Sequence, residues 1–548
     1  MKITNVPWRF LAVAAMVVGI GLRLAALERW CLWTDELASL RRATELPLRE
    51  HLVEMRGNHP LYEVLVLRPW GLLGQSDAWI RLPSVLAGSL TLFVTFFLGR
   101  ACSRRTAVLA TWLLALAPLH VMFSRLARPY SLAALWAVLA SLALLAYVRH
   151  HHPRALVAYA VLAALLVLTN LFALSLLVAH AIFLLWFYRR RLRALMPWVA
   201  AGVATTALLA PWLVINAMSA VTWSQDTPYA GQQMGTVVKL LYLPFTFALG
   251  ETVHPLDLWV VVPALAGFTA CFVTGVLQAR RHAAALFFLL QVVVVLAAAM
   301  VFRAAAPKHT LIALPAFAVV AALGLERLRL WALTALVCAA SAISLTNYFA
   351  GRDFHDADMV TPWRQITKCV QEAERPGEIV FVGYHGDPDV WRMFNRYYRP
   401  EGKNETRWLR LREPSEWQTI LADELRVCRR FWLLLHAVDP RREVEIWLEE
   451  RKCLVVPQPF QIEEHTLRGL REGLAHARKY RSPLYILYLV EAPATPTASD
   501  TVKGDAVAEE AAKVARAPTL DRALTTAFHS STNRSVSLIN TAHTPSDK

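Results

Sequence analysis

The sequence predicts a multi-pass α-helical membrane protein of about eleven transmembrane helices, followed by a C-terminal periplasmic or exterior α/β domain. Three observations predict this. The 548-residue chain is 56% hydrophobic and 18% charged, with a mean hydropathy of +0.38, so its apolar residues are too abundant for one soluble domain. Apolar stretches of roughly 20 residues, long enough to cross a bilayer, recur between Trp8 and Tyr348. After Gly351 the composition turns into that of a soluble domain with strand and helix patterns. Other classes are excluded by the same composition: 22 glycines and 7 scattered cysteines fit neither a collagen nor a disulfide scaffold. A net charge of +16 would suggest nucleic acid on a soluble protein, but here it is what span-orienting arginines produce.

The apolar stretches centre near residues 18, 89, 114, 139, 161, 180, 205, 266, 292, 317 and 339. The first follows Lys2 and Arg9 and is not followed by a small-residue cleavage site, which makes it a retained anchor rather than a signal peptide. Basic residues crowd alternate loops: Arg100, Arg104 and Arg105; Arg149 and Arg154; Arg189 to Arg193; Arg280 and Arg281; Arg327 and Arg329. Positive loops stay inside, so the N-terminus is expected in the cytoplasm of an inner-membrane protein. An odd number of spans then places everything after Tyr348 outside.

Two exterior segments exceed simple connections. Residues 28–78 mix Trp30, Trp33, Trp70 and Trp79 with charges, as interfacial helices do, and Asn216 to Asp257 carries Trp223, Tyr229, Lys239 and Glu251. The expected division is a membrane domain over 1–349 with its exterior loop at 28–78, an α/β domain over 350–493 and a disordered tail over 494–548. In the α/β part, strands are expected at Glu378–Tyr384, Arg430–His436 and Leu484–Val490, with helices from Thr361, over Glu443–Arg451 and over Leu467–Arg478. Cys369, Cys428 and Cys453 lie there, and one disulfide beside a free thiol is open alongside three free thiols. The triplet His150-His151-His152 reads as a solvated turn, with no CxxC or HExxH spacing anywhere.

Chemistry concentrates in the exterior loops. Trp33-Thr34-Asp35-Glu36 sets two acids at the membrane face, where burial raises a carboxylate pKa and makes a general base; the alternative is a helix start capped by Thr34 or Asp35. His59, in Asn58-His59-Pro60-Leu61-Tyr62, can hold a proton, a metal or a hydroxyl, or be structural. Arg125 and Arg128, before Pro129-Tyr130, run against the positive-inside trend and invite a phosphate, unless they merely snorkel. Pro307-Lys308-His309 repeats the pattern, and Arg81 can join the cluster.

In order and spacing, Trp33-Thr-Asp35-Glu36-Leu-Ala-Ser, Asn58-His59-Pro-Leu-Tyr62, Trp79-Ile-Arg81-Leu-Pro-Ser, Arg125-Leu-Ala-Arg128-Pro-Tyr130-Ser and Lys308-His309-Thr-Leu resemble the multi-pass GT-C glycosyltransferases. The branch is the bacterial one similar to protein O-mannosyltransferases and the lipid A aminoarabinose transferase. Trp363-Arg364 and Arg375-Pro-Gly resemble the opening of its exterior domain, so the likeness covers about residues 8 to 490. It implies transfer of a sugar from a polyprenyl-phosphate donor to a glycan, lipid or protein acceptor outside the cytoplasmic membrane, with inversion. It also implies Asp35 as the base and Glu36 as its support. Arg128, with Arg125, Lys308 and His309, would stabilise the departing lipid phosphate. His59, Tyr62, Arg81 and Tyr130 complete the implied substrate site. Leu126 stands where the branch often has Glu, and Leu61 where it often has a second Pro. No metal-binding acid is evident beside Asn58, which leaves a divalent cation open, with no other cofactor implied. The rival classes are a transporter or lipid flippase, which would place ionisable residues at span midplanes and repeat its halves, and a non-catalytic envelope scaffold.

Overall fold

The computed structural model describes residues 8–54, 59–226, 236–279, 283–302, 305–329, 331–384, 389–399, 404–428, 430–436, 441–458 and 485–492. Asn58, the expected helix at Leu467–Arg478 and the tail over 494–548 lie outside these residues.

Each of the eleven apolar centres falls inside a helix, beginning with Trp8–Leu24. Among the described residues seven helices are long and apolar enough to cross a bilayer: Asp77–Arg100, Tyr130–His150, Leu192–Ile215, Leu258–Ala279, Ala283–Val301, Pro307–Leu328 and Ala332–Ala350. An eighth crossing arises if Arg104–Leu116 and Pro118–Ser124 are one span, bent by 62°. The bend has a local cause, because Pro118 has no amide to give the helix and its ring clashes with the preceding turn. Pro153–Thr169, Leu171–Phe187 and Thr236–Leu249 are apolar but shorter. Thr236–Leu249 lies in the stretch expected to be an exterior loop. Lys239 and Pro244 interrupt its hydrophobic run, and the lysine is buried because its ammonium donates to the carbonyls of Ala299 and Phe302, at 3.3 and 2.7 Å.

Short helices follow Trp8–Leu24: Thr34–Thr44, Leu48–Glu54, a π-helical turn over Leu61–Leu67, and Arg68–Leu73. The stacked indoles of Trp70 and Trp79, 4.6 Å apart, close this layer, each donating its ring N–H to the other's carbonyl.

The C-terminal part is a five-stranded sheet of β1 (Ile379–Tyr384), β2 (Glu405–Arg410), β3 (Arg430–His436), β4 (Leu454–Gln458) and β5 (Tyr485–Glu491), in the order β2-β1-β3-β5-β4. β1 runs parallel to β2 and β3, while β5 is antiparallel to β3 and β4. The three anticipated strands are present. β2 and β4 are the two edges, whose charged Glu405-Thr-Arg407 and Pro457 do not give a buried-strand pattern. Alternation along the strands divides the sheet's side chains into two cores. Phe381, Phe431 and Leu433 pack with Trp417 and Trp447 of the domain's own helices. Val380, Val382, Trp432 and Leu434 instead share a core with Trp363 and with Leu32, Leu37, Leu40 and Tyr62 of the membrane part. The sheet is therefore continuous, through packed side chains, with the segment that carries Asp35. All seven cysteines are free thiols, so no disulfide joins Cys369, Cys428 and Cys453.

Candidate active site

The helix Thr34–Thr44 begins after a stretch without regular structure, so its first turn must be fixed by side chains. Trp33, not Thr34 or Asp35, occupies the N-cap position, and the Glu36 carboxylate accepts from the Trp33 amide at 2.9 Å. That is one of four donors on Glu36. Arg81 grips both oxygens, at 3.0 and 2.8 Å, and the Ala127 amide donates at 2.6 Å. With 0% exposure and both oxygens occupied, Glu36 is a structural anion that ties together three segments.

Asp35, one residue earlier, lies about 100° away around the helix and meets different surroundings. Its side chain is 39% open to solvent, and one oxygen lies 3.1 Å from the Lys308 ammonium and 3.6 Å from the Arg128 guanidinium. Burial alone would raise this carboxyl, but the Lys308 and Arg128 charges outweigh it and hold it well below the usual carboxylate range. The sequence expectation of a raised pKa is thus reversed by two cations that are remote in the chain.

Arg128 is held firmly in place. It donates to the Asp35 carbonyl at 3.0 Å, to the Ser39 hydroxyl and to Tyr130 Oη at 3.5 Å. Ser39 in turn donates to Glu63 at 2.8 Å, and Glu63 also takes Arg42 and His51. Burial would raise Glu63, yet the bonds from His51 and Arg42 bring it down to about 2, so a buried anion backs Arg128. Lys308 sits 4.7 Å from the Trp33 ring centre and 5.8 Å from that of Tyr130, a cation–π seat. Tyr130, 1% exposed, is also the wall against which His59 and His309 stand edge-on, at 6.0 and 5.9 Å.

Both histidines have assignable tautomers. His59 Nδ1–H donates to the Thr169 carbonyl at 2.8 Å, leaving Nε2 as an acceptor; burial brings its pKa down to about 4, so it is neutral near pH 7. Its φ of 54° is left-handed, an uncommon state for a non-glycine residue, held here by that bond. His309 Nδ1 accepts from the Ala306 amide at 3.0 Å, which puts the proton on Nε2.

Ten residues were singled out from sequence, and the structure separates them. Asp35, His59, Arg128, Tyr130, Lys308 and His309 come together. Glu36, Tyr62, Arg81 and Arg125 are spent on the scaffold. Tyr62 is buried with its hydroxyl 3.0 Å from that of Ser84. Arg81, besides Glu36, donates to the carbonyls of Leu27, Trp30 and Cys31. Arg125 caps the end of the helix Trp8–Leu24 through the carbonyls of Leu22, Arg23, Ala25 and Ala26, and donates to Tyr348 Oη at 3.0 Å. Its guanidinium is therefore committed to backbone rather than presented to a phosphate. Sequence reasoning missed Trp33, Ser39 and Glu63. Only Glu63, an acid inside an apolar run after Pro60, left a signal to find. Among the described residues no group of three or more His, Cys, Asp or Glu side chains could hold a metal ion.

An anion-binding pair of cations beside a solvent-accessible carboxylate can bind a phosphate and take a proton from a hydroxyl. Residues 59–215 match the family model described as dolichyl-phosphate-mannose-protein mannosyltransferase. No curated protein sequence matches the chain. Two crystal structures of ArnT from Cupriavidus metallidurans are similar in fold at 13% identity. The apo form gives a TM-score of 0.53 over 88% of this chain and 97% of its own, and the form bound to undecaprenyl phosphate 0.51 over 88% and 98%. The chain thus shares the fold of these ArnT structures, a multi-pass helical membrane part followed by a small sheet, as the ordered motifs led one to expect.

Proposed function

We propose, from that architecture as premise, that the protein is an integral membrane glycosyltransferase that moves a sugar from a polyprenyl-phosphate donor to a glycan, lipid or protein acceptor. The reaction is assigned to the exterior face of the cytoplasmic membrane, with the N-terminus inside and the sheet outside, as the loop arginines imply. One observation carries the assignment: the solvent-accessible carboxylate of Asp35 lies between Lys308 and Arg128, in a chain with the fold of ArnT.

In this mechanism Arg128 and Lys308 take the donor's phosphate, Arg128 through its planar fork and Lys308 as a point charge. The acceptor hydroxyl approaches Asp35. Its oxygen forms a bond to the sugar's anomeric carbon as the bond from that carbon to the phosphate oxygen breaks. The bonding pair leaves with the phosphate, and the hydroxyl proton passes to the Asp35 carboxylate. A single displacement inverts the configuration; retention in the product would overturn it. His59 Nε2 and His309 Nε2–H are assigned to sugar or acceptor hydroxyls, and Tyr130 to seating them.

Asp35 in the empty site is a poor base, because Lys308 and Arg128 hold its carboxyl so low. The phosphate that binds those cations cancels the field that depresses it. Donor binding thus raises the basicity of Asp35 when the base is needed, a coupling inherent in sharing two counter-ions between two anions.

The test is sugar transfer by purified protein from a panel of synthetic polyprenyl-phosphate sugars, with and without chelator. Asp35→Asn is expected to lower the rate by roughly 10²–10⁴-fold in a protein that still folds. Full activity in that variant removes Asp35 as the base.

A further inference from the structure

The backbone that delivers Asp35 is held by a side chain far along the sequence. Leu32 is 1% exposed and precedes the helix, so its amide has no helical partner; it donates instead to Tyr397 Oη at 2.7 Å. The Tyr397 hydroxyl spends its own proton on Asp77, at 2.8 Å, the first residue of the helix Asp77–Arg100. Arg396, beside it on the helix Asp389–Tyr397, donates to the other Asp77 oxygen at 2.9 Å, and Arg364 also binds Asp77. Arg364 also donates to the Glu28 carbonyl at 2.7 Å. The segment between the helix Trp8–Leu24 and Asp35 thus has two fasteners. Arg81 fixes the carbonyls of Leu27, Trp30 and Cys31 from the membrane side, and Tyr397 with Arg364 fixes Leu32 and Glu28 from the sheet side.

Resting on the transferase assignment, we infer that Tyr397 is a positioning residue of the reaction, through which the C-terminal domain sets the place of Asp35 against Lys308 and Arg128. Its hydroxyl bonds both the approach, at the Leu32 amide beside the active helix, and Asp77; Arg364 makes a parallel bridge farther back, from the Glu28 carbonyl to the same carboxylate. Among the described residues Arg396 hydrogen-bonds only Asp77 and the Gln75 carbonyl, and its guanidinium lies 5.8 Å from the Tyr397 ring centre, so it fastens the domain with no bond of its own to the approach. The two neighbours therefore separate docking from positioning.

Steady-state transfer is measured on the full-length protein in detergent for wild type, Tyr397→Phe, Arg396→Gln and Asp35→Asn. Tyr397→Phe is expected to lower kcat about tenfold, since a base displaced by a fraction of an ångström loses rate steeply, while donor KM stays within about twofold. Arg396→Gln is expected to keep kcat within about twofold. An unchanged kcat in Tyr397→Phe, a loss confined to KM, or an equal fall in Arg396→Gln overturns the role. Hydrogen exchange on the wild type gives a second measurement that needs no variant. The Leu32 amide is expected to exchange as slowly as helical amides, and fast exchange also overturns the role. An inactive wild type overturns the transferase and this role together. A wild type silenced by Asp35→Asn but indifferent to Tyr397→Phe overturns only the role of Tyr397.

Discussion

Asp35 and Glu36 are adjacent acids on one helical turn, and they live in opposite conditions. Glu36 has no exposure and four donors; Asp35 is 39% exposed and pairs with two cations, Lys308 and Arg128. The same split divides Arg125, consumed by backbone carbonyls, from Arg128, which reaches the open side. A charged motif is thus half scaffold and half site, and what separates the halves is which oxygens and N–H groups remain to be satisfied. Charge alone marks the region without ranking its residues.

The comparison breaks most visibly if Glu36 is neutralised. Glu36→Gln leaves Arg81 buried beside a partner without charge, and stability is expected to fall by about 3–5 kcal/mol. Asp35→Asn, on the exposed side, is expected to cost under about 1 kcal/mol. Melting temperatures of the two purified variants check this directly, and equal losses would erase the distinction between the two sites. The next effect is on affinity. Lys308→Met removes one of the two cations offered to a phosphate, and donor KM is expected to rise about tenfold with the fold intact, measured in the same transfer assay.

A third carboxyl sharpens the contrast at the smallest scale. Glu251, whose side chain accepts from Tyr242 Oη at 3.2 Å, is pushed up to about 7 by burial first and the neighbouring Asp356 charge second. It shows what burial does when cations do not outweigh it. A carboxyl raised in the folded state contributes stability that is fully present below its unfolded value of 4.5 and lost as pH rises through about 7. The melting temperature of the wild type is therefore expected to decline between pH 5 and 8 by an amount that Glu251→Gln removes. An identical slope in the variant would detach Glu251 from it.

Much of this was legible in the chain. Helix centres follow from hydropathy alone, and Arg128 and Lys308 stood out because they oppose the topological charge rule. The fate of Glu36 was not legible, because its four donors come from Trp33, Ala127 and Arg81, and only the first is local. The helix Thr236–Leu249 hid behind Pro244 and behind Lys239, whose ammonium is satisfied by the carbonyls at a neighbouring helix end. β2 hid because an edge strand with one alternately charged face carries no apolar run. In each case the deciding partner is distant, and periodicity reports only on near neighbours.

The bond between Leu32 and Tyr397 also has a meaning in time. The two residues are 365 positions apart. At a synthesis rate of about 5–20 residues per second, the partner of the Leu32 amide leaves the ribosome roughly 20–70 s later. β5, flanked on both sides in the finished sheet, emerges later still. During that interval the segment before Asp35 lacks its Tyr397 fastener, so its final place is set only after the sheet's helix Asp389–Tyr397 has been made.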